Sequence, residues 1–230
     1  MSRESDNEAF VREFQRRAGI GVDGWAGRKE AWPALDRILP APPKVKRALK
    51  DPAAFFASVR ESFGSLKDPK QVEGFNVLLD AMAGWPITWV AYGLATAWHE
   101  TNKTMQPVAE AYYLGAGAEA WRKANLRYWP WYGRGYPQTT WEANYKRADD
   151  ALGLGGKLLK NPDLMLTAEV AAPTMVRGME EGWFTTRKLS DFAPRDYKGM
   201  RKIINGTDKD ELIAGYAVKF EVALKAGVWS

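Results

Sequence analysis

Glu100 closes a stretch that carries no charge from residue 81 to residue 98, and the polar turn Thr101-Asn102-Lys103-Thr104 comes directly after it. A carboxyl at such a junction is partly withdrawn from water, which favours its protonated form. A general acid for a glycosidic oxygen must hold that form near neutral pH. Ten residues on stands Glu110, and nine further Glu119. Cleavage of the acetal between two sugars uses one acid and a second carboxylate that activates water or steadies charge at the anomeric carbon. A wide separation between the two belongs to the inverting route. Glu110 and Glu119 are both candidates for the second role. The bland alternative is a set of ordinary surface carboxylates, one of them at a helix end.

Composition narrows the chemistry further. The chain has no cysteine, so disulfides, thiolate nucleophiles and cysteine-based zinc sites are excluded. A single histidine, His99, rules out a zinc centre on paired imidazoles within one chain and leaves a serine triad only one possible base. Carboxylate chemistry with no metal and no organic cofactor is the expectation. A net charge of +5 favours polyanionic surroundings such as a cell wall or an anionic outer-membrane surface. Residues 126–136 (LRYWPWYGRGY) gather Tyr128, Trp129, Trp131, Tyr132 and Tyr136 around a Gly-Arg-Gly turn. Aromatic faces stack on pyranose rings while neighbouring amides bond hydroxyls, so this cluster, Trp131 included, suits a sugar-binding cleft. An aromatic-rich core explains it equally well. Nucleic acid is not expected as a partner, because lysine and arginine are not concentrated here.

These residues need a scaffold, and the hydrophobic pattern predicts a mainly α one. Helices are expected at 53–63, at 70–83, from Trp89 to Thr101, and at 140–153, 167–181, 198–204 and 208–226, while nothing alternates with period two. The uncharged stretch 81–98 is long enough to raise a membrane span, but Gly84, Pro86, Thr88, Gly93 and Thr96 interrupt it, so a buried helix is predicted and no membrane span. Residues 8–38 read as helix, tight turn, helix. Pro40, Pro42 and Pro43 stiffen the connection beyond them. The expected organisation is a small helical segment at 1–40, a proline-rich linker at 41–52 and a main domain at 53–230.

Five motifs in order resemble the family 19 glycoside hydrolases, the plant-type chitinases and related phage endolysins. They are His99-Glu100-Thr101; Tyr132-Gly133-Arg134-Gly135-Tyr136-Pro137-Gln138; Trp141-Glu142-Ala143-Asn144-Tyr145; Asn161-Pro162-Asp163-Leu164; and Ile203-Ile204-Asn205-Gly206, within residues 55–224. The resemblance implies a helical, lysozyme-like catalytic domain with Glu100 as general acid. It implies that Tyr132, Arg134, Gln138 and Asn144 line the cleft, and that Asn205 lies near it. The chitinases' second glutamate falls about twenty residues after the first, where this chain has Arg122 and, close by, Glu119. Endolysin members resemble this chain more closely with a glutamate at Glu110, which is favoured over Glu119. His99 is expected to be a structural hydrogen-bonding residue. The pattern Phe14-Gln15, then Val22-Asp23-Gly24-Trp25-Ala26-Gly27, resembles the second half of small peptidoglycan-binding domains.

The expected activity is that of an endolysin hydrolysing the β-1,4 bond between N-acetylmuramic acid and N-acetylglucosamine, with bacterial peptidoglycan as partner and a monomeric chain. Residues 1–18 are polar and lack the pattern of a signal peptide. The expected itinerary is therefore the host bacterial cytoplasm, then the periplasm after holin-mediated release. A chitinase using the same site and a non-catalytic wall-binding protein are the competing readings. Amidase and endopeptidase chemistry is disfavoured, since it needs zinc with paired histidines or a cysteine nucleophile.

Overall fold

Pro52 and Pro69 each follow an aspartate, and each pair starts a helix, because proline fits the first helical position and the aspartate oxygen satisfies an otherwise unpaired amide. Asp51 accepts from Ala54 N at 2.9 Å ahead of α1 (Pro52–Phe63). Asp68 and Gln71 form a reciprocal capping box ahead of α2 (Pro69–Ala81). The computed structural model describes residues 48–230, together with Arg12 and Gln15, both helical. The chain divides into two units, Met1–Val45 and Lys46–Ser230. The helix-turn-helix and wall-binding readings of residues 1–40 lie outside the described residues, apart from those two positions.

Over residues 48–230 the fold is mainly α, with nine α-helices and one two-stranded ladder. The uncharged stretch becomes α3 (Ile87–Glu100), whose residues from Val90 to Trp98 are all buried. A helix apolar on every side must be wrapped by others. The long helix α9 (Asp210–Ala226) packs along α3 and α1. Phe55, Phe75, Leu78, Val90, Leu94 and Phe220 are wholly buried there, each such side chain contributing about 1.5–3 kcal/mol. Among the described residues no helix is long and apolar enough to cross a membrane. The last residues of the expected linker do not behave as a free connection. Ala48 and Ser230 exchange backbone hydrogen bonds, and Leu49 bridges Trp229.

A second, smaller core gathers Tyr145, Ala148, Leu158, Met165, Val170 and Trp183. It lies under α5 (Glu142–Leu152), the single-turn α6 (Lys157–Lys160) and α7 (Ala168–Glu181). Buried Asp149 ties this part together by accepting from Gly156 N at 2.6 Å and Leu158 N at 2.7 Å. Between the two cores run β1 (Val108–Ala109), α4 (Ala118–Asn125) and β2 (Arg134–Gly135), β1 pairing antiparallel with β2.

Candidate active site

Glu100 is the last residue of α3, and the turn behind it is fixed from several sides. Thr101 Oγ1 donates to Ala97 O at 2.7 Å and accepts from Met105 N. Gln71 of α2 donates to Lys103 O, and Gln106 donates to Lys70 O. Gly74 lets α2 approach, for a Cβ there would stand 1.7 Å from Met105 O. Glu100 Oε1 accepts from Arg201 Nη1 at 2.7 Å, and the guanidinium is 1% exposed. Among the described residues Oε2 has no hydrogen-bond partner, and the side chain keeps 16% exposure. Sequence reading foresaw a partly buried carboxyl here but not its cation.

Arg201 opens a 3-10 turn (Arg201–Ile203) directly after α8 (Tyr197–Met200), and its Nε donates to Asp208 O at 2.8 Å. The turn is anchored through Tyr197, whose hydroxyl donates to the buried carboxylate of Glu221 on α9 at 2.7 Å. Burial pushes Glu221 upward. Lys225, the Tyr197 hydroxyl and Arg195 outweigh it, so its carboxyl lies below the ordinary glutamate value of 4.5. A carboxyl depressed in the folded state contributes stability that is complete above its unfolded value and is lost as pH falls through the folded one. The native protein is therefore expected to be more stable than Glu221→Gln at about pH 6, by on the order of 1 kcal/mol given the exposure of Lys225 and Arg195. Denaturant midpoints at descending pH should show that gap closing in the acid range below 4.5.

Glu110 reaches the same region from the end of β1. Its backbone N donates to Gly133 O at 2.7 Å, extending the β1–β2 ladder, and Arg122 Nε donates to its carbonyl. Its carboxylate accepts from Gly133 N at 3.0 Å and from the Tyr128 hydroxyl at 3.0 Å. Burial and then the Glu110 carboxylate push Tyr128 up to about 12, so its hydroxyl keeps its proton and remains a donor. Gly133 leaves room for both groups, since a Cβ would stand 2.8 Å from Gln138 Oε1 and 3.3 Å from Glu110 Oε2 and would push these side chains aside.

A cavity of about 490 Å³ has both Glu100 and Glu110 in its lining, with Gln138, Asn144 and Asn205 supplying amides and Trp141 an exposed indole. A second cavity of about 430 Å³ shares Glu100, Glu110 and Gln138 and extends past Asn102, Tyr112 and Tyr113. Together they form one elongated cleft with the two glutamates in both of its halves. Gln138 is pinned there, its Nε2 donating to Val108 O and Gly135 O. Asn144 donates to Thr140 O.

Four residues expected at the cleft line neither cavity. The Glu119 carboxylate, 59% exposed, binds Arg122, the Trp129 indole and the Tyr132 hydroxyl. The Trp129 hydrogen bond, helped by Arg122 and Tyr132, holds it below the ordinary glutamate range. Arg134 is 3% exposed and engaged with Asp163, Pro130 O and the Tyr145 hydroxyl, its guanidinium lying over the buried Tyr132 ring. Trp131 packs against Tyr145 on the second core. These residues build the loop that carries Gly133 and Gln138; they do not border the open space. His99 lines the second cavity, and burial holds its imidazole below the ordinary value despite the opposing charge of Glu100. Contrary to expectation, its side chain makes no hydrogen bond among the described residues.

Sequence reasoning missed Arg201, Thr140, Phe184 and Ile204. Arg201 had a signal, for an arginine set among Tyr197, Met200 and Ile203 in a buried apolar stripe is one that needs a buried partner. Among the described residues no three His, Cys, Asp or Glu side chains gather as a metal-holding set. No protein-family model matches this chain, and no curated protein matches it.

Proposed function

We propose that the protein hydrolyses β-1,4 glycosidic bonds of bacterial peptidoglycan, as a wall-degrading enzyme of the endolysin type. The observation that carries this reading is the pair Glu100 and Glu110, brought into one cleft from the end of α3 and the end of β1, each held by fixed donors. The proposed scaffold is of the family 19 type, on the order of the five motifs and the mainly helical fold. Glu100 delivers a proton to the glycosidic oxygen, and the bond from that oxygen to the anomeric carbon breaks. Water attacks the anomeric carbon while Glu110 takes its proton. One water is consumed, one new reducing end and one free hydroxyl appear, and solvent returns the proton from Glu110 to Glu100. Arg201 pairs with the charge left on Glu100. Tyr128 and Gly133 N aim the Glu110 carboxylate. Gln138, Asn144 and Asn205 supply donors and acceptors for hydroxyl and acetamido groups, and Trp141 supplies an apolar face for a pyranose ring.

The test is mass spectrometry of digests of peptidoglycan and of chitin oligomers. New reducing ends at N-acetylmuramic acid with intact peptide crosslinks are expected. Freed amines with untouched glycan strands would refute the reading, and cleavage confined to chitin would transfer it to that polymer. Failure to cleave either polymer would leave a wall-binding protein.

A further inference from the structure

The rim of the cleft carries a cation that no carboxylate of the described residues pairs with. Arg127 is exposed, its guanidinium 5.2 Å from the centre of the Trp141 ring, and Trp141 lines the cavity holding Glu100 and Glu110. Among the described residues Arg127 makes no ion pair and no side-chain hydrogen bond. Its neighbours differ. Arg122 is bound to Glu119 and to the Glu110 carbonyl, and Arg134 to Asp163. Lys123 lies 5.4 Å from the Trp129 ring, but the indole of that ring donates to ionised Glu119, whose charge offsets the lysine locally. Glu142, the residue after Trp141, is exposed and likewise forms no ion pair with Arg127. A guanidinium steadied on an indole keeps its fork of donors while having less freedom to lose when an anion arrives.

We infer that Arg127 is a specificity residue that binds a carboxylate of the peptide stems carried by peptidoglycan strands, favouring them over uncharged chitin-type polymers at the same cleft. The inference rests on the glycan-cleaving reading above and names the feature of the substrate that this site selects. Its chemistry is simple. Unsubstituted chitin offers hydroxyls and acetamido groups, to which a rim cation adds little. Stem peptides carry free carboxylates, and a planar fork of N–H donors matches them two bonds at a time.

Soluble peptide-bearing strands, and the same strands with their stem carboxylates converted to primary amides, distinguish the terms. Arg127→Gln is expected to raise KM about two- to five-fold on peptide-bearing strands at low salt, the effect of one exposed charge pair. Its kcat on those strands, and both constants on the amidated strands, should stay at the wild-type level. Arg127→Lys should recover most of the loss, and the difference should fade near about 0.5 M salt, where exposed charges are screened within a few ångströms. Equal KM changes on both strands, or none on either, would overturn the assignment while leaving the glycan-cleaving reading intact. A wild-type protein that cleaves neither strand would overturn both.

Discussion

Glu100→Gln is expected to lower the rate of glycan cleavage about 10²- to 10⁴-fold, the range over which a positioned acid accelerates proton transfer. The substitution keeps the shape of the side chain and an oxygen for Arg201 Nη1, which donates to it at 2.7 Å, so the fold should survive. What disappears is the transferable proton. Binding of peptidoglycan should remain, since Gln138, Asn144, Asn205 and Trp141 are untouched. The loss should therefore fall on kcat and leave KM near the wild-type value. Glu119→Gln is the matched control, because that carboxylate lines neither half of the cleft and is 59% exposed. It should retain essentially full activity. A folded Glu100→Gln protein that still cleaves at a sizeable fraction of the wild-type rate, or a Glu119→Gln protein as inactive as Glu100→Gln, would remove Glu100 from the acid's position.

The same pair of glutamates marks what the sequence made legible. The helices that carry the first core were readable because each shows a long periodic or uncharged stretch with a distinct start. Asp51-Pro52 and Asp68-Pro69 announce α1 and α2, and residues 81–98 announce α3. α4 and α6 went unseen because they are short, eight and four residues, and bury few side chains. A ladder of two residues per strand is too short to show period two. That ladder is what brings Glu110, and not Glu119, to the lining of the cleft. Pairing Ala109 with Arg134 brings the Glu110 carboxylate to Gly133 N, a contact across 23 residues that counting positions cannot reveal. Tyr132 and Arg134 illustrate the opposite error. Aromatic and guanidinium groups serve a buried loop as readily as a sugar, and here Arg134 binds Asp163 and Tyr145.

Arg201→Met is expected to destabilise the protein by about 3 kcal/mol, the lower end of the cost of breaking a buried ion pair from one side. The lower end applies because Glu100 keeps 16% exposure and can recover some hydration, whereas Arg201 itself is 1% exposed. For a domain of this size the loss corresponds to a fall in Tm of roughly 6–12 °C. The cost has two sources that a double-mutant cycle separates. One is Asp208 O, which loses the Nε donor whatever stands at position 100. The other is the carboxylate left without its cation, and Glu100→Gln removes it. Arg201→Met should accordingly cost less in the Glu100→Gln background than in the wild type, with a coupling of about 1–3 kcal/mol. Arg201→Lys should restore the charge but not the simultaneous reach to Asp208 O and Glu100 Oε1, and should fall between the two. Peptidoglycan cleavage should drop along with stability, because Arg201 holds one oxygen of the acid and leaves the other for substrate. If Arg201→Met costs the same in the wild-type and Glu100→Gln backgrounds, the link across 101 residues of sequence carries no energy, and another group must position Glu100.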